Sequence, residues 1–259
     1  MDKASIGGAF LAIAGIVAGL LIEGGNLGQI LQPTAALIVF GGTLGAVMLQ
    51  FPLATVVGAF RSLGQLFAAP RKKETQVVRE LVAFANKARR QGVVSLDADL
   101  HAIEDPFLKQ TLMLAVDGTE PVELRRIMHV SLESLTEEEE RLPAVFESAG
   151  GFSPTIGILG AVLGLIQVMQ HLDNINEVGR GIAVAFVATI YGVGIANLFF
   201  LPFAGKMRLR IHSNFRRREM VLEGVISILE GLNPRMVETK LQGFLADAPP
   251  PEESRESSS

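Results

Sequence analysis

Four long apolar stretches without a single Asp, Glu, Lys, Arg or His are the most constraining feature of this sequence. They cover residues 5–22, 33–51, 152–169 and 181–203. A bilayer core of roughly 30 Å is crossed by about 17 to 25 apolar residues in a helix, and each stretch is at or within that range. The sequence therefore predicts an all-α integral membrane protein with four transmembrane helices.

The absence of Asp, Glu, Lys, Arg and His from these stretches also bears on function. A protein that moves ions through a membrane normally keeps an ionisable group at membrane depth, because such a group is costly there unless it has a task. If this chain conducts ions, the carboxylate that carries the charge must therefore belong to another polypeptide.

Composition and motifs exclude several other functions. The chain has no cysteine, which removes disulfides, zinc-thiolate clusters and thiol nucleophiles. Its formal net charge of −4 gives no support to nucleic-acid binding. Neither an HExxH, a GxSxG nor a phosphate-binding loop motif occurs, and the four histidines are scattered. We expect no enzyme activity, no cofactor and no metal site.

The distribution of Lys and Arg predicts the orientation in the membrane. The connection 23–32 has no basic residue and the connection 171–180 has only Arg180, whereas several basic residues follow the second and fourth stretches. Basic residues accumulate on the cytoplasmic side. Both termini and the long central segment are therefore expected in the cytoplasm, with the four helices in the membrane.

The resulting domain plan has five parts. They are a first transmembrane hairpin at 1–52, a cytoplasmic helical domain at 53–151, a second hairpin at 152–204, cytoplasmic C-terminal helices at 205–246 and a disordered tail at 247–259. The tail is rich in Pro, Glu and Ser and cannot bury enough apolar area to offset the entropy lost on ordering.

Local signals predict helices outside the membrane as well. Apolar residues recur at helical spacing over 75–91, and Gly92 provides a stop. Asp105 followed by Pro106 has the form of a helix start. After the fourth span the chain is expected to continue as one helix to 232, where Asn233 and Pro234 end it.

Small residues line one face of the third span, at Gly157, Gly160, Ala161 and Gly164 next to Pro154. Close helix packing within the chain explains most such faces. The smoothness of this one also suggests a wall past which another helix slides. The two interpretations remain open from sequence alone.

Two further features of the spans concern hydrogen bonding. A lone threonine in a spanning helix usually donates to a carbonyl one turn earlier, and we expect Thr189, at mid-depth, to be the exception. Pro154 and Pro202 lie near the cytoplasmic ends of the third and fourth spans, where each should interrupt the backbone hydrogen bonds and form a kink or hinge.

Two spans carry a family resemblance. The sequences SPTIGILGAVLGLI at 153–166 and FVATIYGVGIANLFFLPFAGKM at 186–207 resemble the MotA/PomA branch of the MotA/TolQ/ExbB family, the flagellar motor stator subunits. The resemblance implies that Pro154 and Pro202 couple ion passage to conformational change. It also implies that Thr189 borders the ion pathway, together with Tyr191, Thr155 and Ala161.

The central segment gives a second match. The sequence ARRQGVVSLDADL at 88–100 is similar to the rotor-facing segment of that family, which engages the switch protein FliG. The resemblance implies rotor contacts by Arg89, Arg90, Asp97 and Asp99, with Asp97 at a position where the family more usually has Glu.

The same resemblance implies partners and an ion. It implies a homo-oligomeric ring of five subunits in membrane lipid, around two copies of a MotB-like single-span protein that supplies the missing aspartate. Alanine at 161, where sodium-driven relatives have threonine, favours protons. The alternatives are an ExbB/TolQ-like channel subunit that energises outer-membrane transport, a membrane scaffold or a membrane enzyme.

Overall fold

The structure is a computed structural model that describes residues 3–66 and 74–245. Within those ranges it is helical and has no strand, which confirms the all-α class. Its helices are α1 (Lys3–Ile22), α2 (Pro33–Gln50), α3 (Leu53–Leu66), α4 (Glu74–Gln91), α5 (Pro106–Val116), α6 (Pro121–Gln170), α7 (Ile175–Leu229) and α8 (Pro234–Gln242). A single helical turn at Leu27–Ile30 and a 3₁₀ helix at Val93–Ala102 complete the described chain. The proposed tail at 247–259 lies outside these residues.

Three of the described helices are long and apolar enough to cross a membrane. They are α2, α6 and α7, judged by length and composition. The described apolar part of α1, Gly7–Ile22, is shorter. The structure thus supports a protein with several membrane-crossing helices.

The predicted start and stop signals form the caps expected of them. Asp105 caps α5, because its Oδ1 accepts hydrogen bonds from the backbone amides of Phe107 and Leu108. Asn233 caps α8 through a bond from the amide of Arg235. The 3₁₀ helix begins after Gly92, whose φ of 80° lies in the left-handed region that glycine tolerates. The expected single helix through the fourth span is present as α7, but it ends at Leu229 rather than at 232.

Proline is accommodated differently in the two long helices. α6 continues through both Pro143 and Pro154 without ending. In α7 a wide turn at Ala196–Phe200 precedes Pro202, and the amide of Leu201 donates to the carbonyl of Ala196 five residues earlier. Such a turn absorbs an irregular hydrogen-bond register, so Pro202 follows a widened segment rather than a break in the helix.

The chain divides into two compact units. Among the described residues, the spanning unit contains 3–66 and 138–210, and the loop unit contains 74–137 and 211–245. α6 and α7 contribute residues to both. The four apolar stretches belong to the spanning unit, and the rotor-like segment 88–100 belongs to the loop unit.

Each unit has its own apolar core. In the spanning unit, Phe146 is the largest fully buried side chain and lies with residues of α2, α3, α6 and α7. A second cluster joins Ala35 and Val39 of α2 to Val187 and Ala188 of α7. The core of the loop unit is larger and includes Leu81, Leu96, Leu108, Leu112, Leu124, Met128, Leu132, Met220, Ile226 and Leu241.

Candidate functional site

The small-residue face of α6 packs against α7 of the same chain. A Cβ added at Gly157 would lie 2.9 Å from the carbonyl oxygen of Ala188, and one added at Gly160 would lie 2.8 Å from the Cβ of Ala188. Such distances mean that the two helix backbones are in contact, as small residues permit in a membrane. The interpretation of this face as a wall for a sliding helix is wrong, because α7 already occupies it.

The outward faces of the same helices are apolar and exposed. On α6 they include Ile158, Leu159 and Val162, and on α7 they include Phe186 and Ile190. In a membrane such faces contact lipid, neighbouring subunits or a partner helix rather than water. In the membrane, these exposed faces are available to a second polypeptide, whereas the glycine face is covered by α7.

Two of the predicted pathway threonines donate to their own helix. Thr189 Oγ1 donates to the carbonyl of Ala185 at 3.2 Å, and Thr155 Oγ1 donates to that of Phe152 at 2.7 Å. The expectation that Thr189 escapes this pattern is therefore wrong. Each hydroxyl still has lone pairs that can accept a hydrogen bond, so the proton is committed to the backbone while the oxygen remains available.

Tyr191 has a different environment from Thr189. Its hydroxyl donates to the carbonyl of Ile30 at 2.5 Å and accepts from the amide of Gln32 at 3.3 Å, and its ring stacks on Phe40 with centroids 5.9 Å apart. These contacts tie α7 to the connection between α1 and α2. The geometry therefore gives the phenol a positioning role in the spanning unit.

The remaining predicted residues of the spanning unit are placed as follows. Pro154 and Ala161 are half-buried, and Pro202 is exposed. Two further hydroxyls, those of Thr43 and Ser153, are buried and have no hydrogen-bond partner among the described residues. An unpaired buried hydroxyl is costly, so these two are additional polar positions inside the unit. In sequence they stand out only as polar residues in apolar helices.

The predicted rotor-facing residues lie at one end of α4 and in the 3₁₀ helix. Arg89 and Arg90 are exposed in the last turn of α4, and Asp97 is exposed without a partner among the described residues. Asp99 is half-buried and its Oδ2 accepts from Lys87 Nζ at 2.7 Å. Asp99 is thus already paired, while the other three charges are free to meet a partner.

A groove brings a third arginine to this place. Arg89 and Arg90 of α4 line a cavity of about 570 Å³ together with Arg235 and Glu238 of α8. Sequence inspection does not identify Arg235, because it is far from Arg89 along the chain and no motif surrounds it. Only the packing of α8 against α4 places the two side by side.

Glu223 lies at the centre of a charged cluster that joins three helices of the loop unit. It pairs with Arg125 of α6 and with Lys240 of α8, whose Nζ lies 2.9 Å from Glu223 Oε2. Burial is the largest single influence and opposes ionisation. The hydrogen bonds from Arg125 and Lys240 together outweigh it and hold the pKa of Glu223 below its ordinary value. The hydrogen bond to Glu223 likewise raises the pKa of Arg125.

The helical fold and the long apolar stretches without Asp, Glu, Lys, Arg or His define a helical membrane subunit that crosses the bilayer several times. Two family models match the chain. Residues 99–220 match the MotA/TolQ/ExbB proton channel family, and residues 6–92 match the motility protein A N-terminal family.

Curated relatives match over nearly the full length. Motility protein A of Bacillus subtilis is 36% identical over 95% of this chain and 91% of its own length. Motility protein A of Helicobacter pylori is 32% identical over 96% and 97%. Among solved structures, C. jejuni MotAB matches with a TM-score of 0.90 and 32% identity over 96% of this chain and 98% of that one. The flagellar MotAB stator complex from Bacillus subtilis matches with a TM-score of 0.87, 34% identity and coverage of 94% and 96%.

The chain therefore belongs to the MotA/TolQ/ExbB proton channel family. Its relatives named motility protein A, and the structures of MotAB complexes, assign it to the flagellar stator branch of that family. This is a family of channel subunits rather than of enzymes.

Proposed function

We propose that this chain is the ring-forming subunit of a proton-driven flagellar stator. In this proposal five copies surround two copies of a MotB-like single-span protein, and the ring exerts torque on the rotor protein FliG. Both matching solved structures are of MotAB, which supports a MotB-like partner. The match to the motility protein A N-terminal model supports the stator over an ExbB/TolQ-like subunit.

The observation that carries the proposal is the lack of any Asp, Glu, Lys, Arg or His in the four apolar stretches. Proton transport needs a group that gains and loses a proton. In our proposal an aspartate on the partner helix is that group. Its protonation removes a charge beside an apolar wall and changes the position it prefers in the ring, so that successive protons drive the ring in steps.

The residues of the spanning unit take the following roles in this mechanism. Thr189 presents an acceptor oxygen beside the pathway, since its proton is held by the carbonyl of Ala185. Ala161 lacks the oxygen that would help to replace the water shell of sodium, which favours protons. Thr155, on an exposed face of α6, borders the same pathway. Pro154 and Pro202 allow the ends of the spans to move.

The proposed topology has four crossings, with α1 as the first. The two termini and the loop unit are in the cytoplasm of a bacterial cell, at the inner membrane. In this proposal the cytoplasmic domain at 53–151 lies between the hairpins at 1–52 and 152–204 along the chain. The C-terminal helices at 205–246 are also in the cytoplasm. The lack of Lys and Arg in the connection 23–32 supports this orientation.

The decisive experiment measures proton flux and swimming separately. The chain is reconstituted in vesicles alone and with the MotB-like partner, and acidification of the lumen is followed with a pH-sensitive dye. Flux should require both proteins. Rapid selective flux by the chain alone would overturn the proposal, because its four apolar stretches contain no Asp, Glu, Lys, Arg or His to carry the proton.

Replacement of Thr189 provides the matching test in cells. Thr189→Val should abolish swimming while flagella still assemble, because the acceptor oxygen is lost. Thr189→Ser should retain swimming. Thr34→Ala, an exposed position in the first turn of α2, serves as the control and should swim normally.

A further inference from the structure

The groove between α4 and α8 of the loop unit is lined by more positive than negative side chains, which favours an acidic partner. Arg89, Arg90 and Arg235 line it, against the single carboxylate of Glu238. All four side chains are exposed, and none has a hydrogen bond or an ion pair with another described residue.

Neighbouring charges of the same unit behave differently. Lys87 is paired with Asp99 at 2.7 Å, and Lys240 is paired with Glu223 at 2.9 Å. Arg217 reaches Asp105 at 3.3 Å. The unit thus pairs these basic side chains internally while three arginines that line one groove remain available.

The groove also offers polar groups that suit side chains rather than a bare ion. Asn86 lies in its wall, and its Nδ2 donates to the carbonyl of Val82 at 2.9 Å, which leaves its Oδ1 free to accept. A volume of about 570 Å³ accommodates a few side chains of a docked segment. Arginine is well suited to this purpose, since its planar guanidinium binds carboxylates with two parallel hydrogen bonds.

We propose that Arg235 is a third rotor-binding arginine and that this groove receives an acidic segment of the rotor protein, whose carboxylates meet Arg89, Arg90 and Arg235. A basic side chain next to those carboxylates meets Glu238. The proposal rests on the proposed stator function and names the part of α8 that takes part in it. It places the contact in the groove and not on Asp99, which Lys87 already engages.

The test uses the complete complex with the MotB-like partner in nanodiscs, and purified FliG as the probe. Arg235→Glu should weaken FliG binding about tenfold at low salt, and the loss should shrink as salt increases, because exposed charges are screened. Arg235→Lys retains the charge and should weaken binding less. Arg79→Glu, an exposed arginine on α4 that does not line the groove, is the matched control and should bind as wild type does.

Proton flux separates this proposal from the function on which it rests. Arg235→Glu should conduct protons normally with the partner and yet swim poorly. Its fold should persist, because the cap of α8 is made by the Asn233 side chain and the Arg235 backbone amide.

Three outcomes would overturn the groove proposal. One is normal FliG binding by Arg235→Glu when Arg89→Glu binds weakly, which leaves the stator function standing. Another is that inorganic pyrophosphate binds in the groove and leaves FliG binding unchanged, which would assign the groove to a phosphate-bearing ligand. Absence of FliG binding by wild type and every variant would overturn the rotor contact altogether.

Discussion

Gly164 of α6 lies so close to Gly181 of α7 that a Cβ added at Gly164 would be 2.8 Å from the Gly181 carbonyl oxygen. The same Cβ would be 2.9 Å from the backbone amide nitrogen of Ala185. Since the neighbouring atoms are backbone, they cannot move aside as a flexible side chain would. This contact fixes how near the third and fourth spans approach each other.

Gly164→Ala should therefore destabilise the spanning unit by about 1–3 kcal/mol, because the added methyl group forces the helices apart. The measurement is the thermal unfolding of the purified complex in detergent. Gly151→Ala on the same helix is the control, since nothing lies within 4 Å of the added Cβ. That variant should be as stable as wild type or slightly more so, because alanine favours helix. Equal stability of the two variants would contradict the observed packing.

Glu223 should make the loop unit sensitive to acid. Its folded pKa is lowered, so its contribution to stability is present above the unfolded pKa and is lost as pH falls through the folded pKa. Glu223→Gln should be less stable than wild type at neutral pH, by about 1–3 kcal/mol, because Arg125 and Lys240 lose a charged partner.

The pH dependence is the discriminating readout for Glu223. The difference in stability between wild type and Glu223→Gln should shrink as pH falls below 4.5, the ordinary pKa of this group. Glu133→Gln, at a well-exposed position of α6, should show little difference at any pH. A gap between wild type and Glu223→Gln that stays constant down to acid pH would mean that the carboxylate charge is not what stabilises the cluster.

Tyr191→Phe should separate a positioning role from a role in the ion pathway. Without the hydroxyl, the carbonyl of Ile30 and the amide of Gln32 lose their partner, which should cost about 1–2 kcal/mol of stability. Proton flux per assembled complex should remain near wild type. Unchanged stability with a large loss of flux would instead assign the hydroxyl to the proton route.

Asp105 should act through both of its oxygens. Asp105→Ala removes the cap of α5 and the partner of Arg217, and should destabilise the loop unit by about 1–2 kcal/mol. Asp105→Asn keeps a capping oxygen and loses only the charge, so it should retain most of the stability. Chemical denaturation of the complex, followed by circular dichroism, distinguishes them. Equal losses in the two variants would show that the ion pair matters more than the cap.

Much of this molecule follows from local sequence signals. Uncharged apolar stretches predict membrane helices because a buried backbone must satisfy its own hydrogen bonds there. Asp105 and Asn233 predict helix starts because their short side chains reach backbone amides within the next turn. These features depend on residues that are neighbours in the chain, and so they can be read without the fold.

Other features depended on which helix faces which. The sequence left open whether the glycines of α6 face their own chain or a moving partner, and the packing of Gly157 and Gly160 on Ala188 decided it. The hydrogen bond from Thr189 to the carbonyl of Ala185 is the usual one for a threonine in a spanning helix, so the sequence could have predicted it. The mid-depth position of Thr189 wrongly suggested an exception. Depth in the membrane does not determine the rotamer of a hydroxyl.

The sequence by itself determined the class of protein and its membrane-crossing character, and it located the two arginines of α4. The tertiary structure decided that α7 covers the glycine face and that Lys87 forms an ion pair with Asp99. It also decided that Arg235 lines the same groove as Arg89. The physical reason is that periodicity and charge act along one helix, whereas pairing and groove formation depend on contacts between residues far apart in the chain.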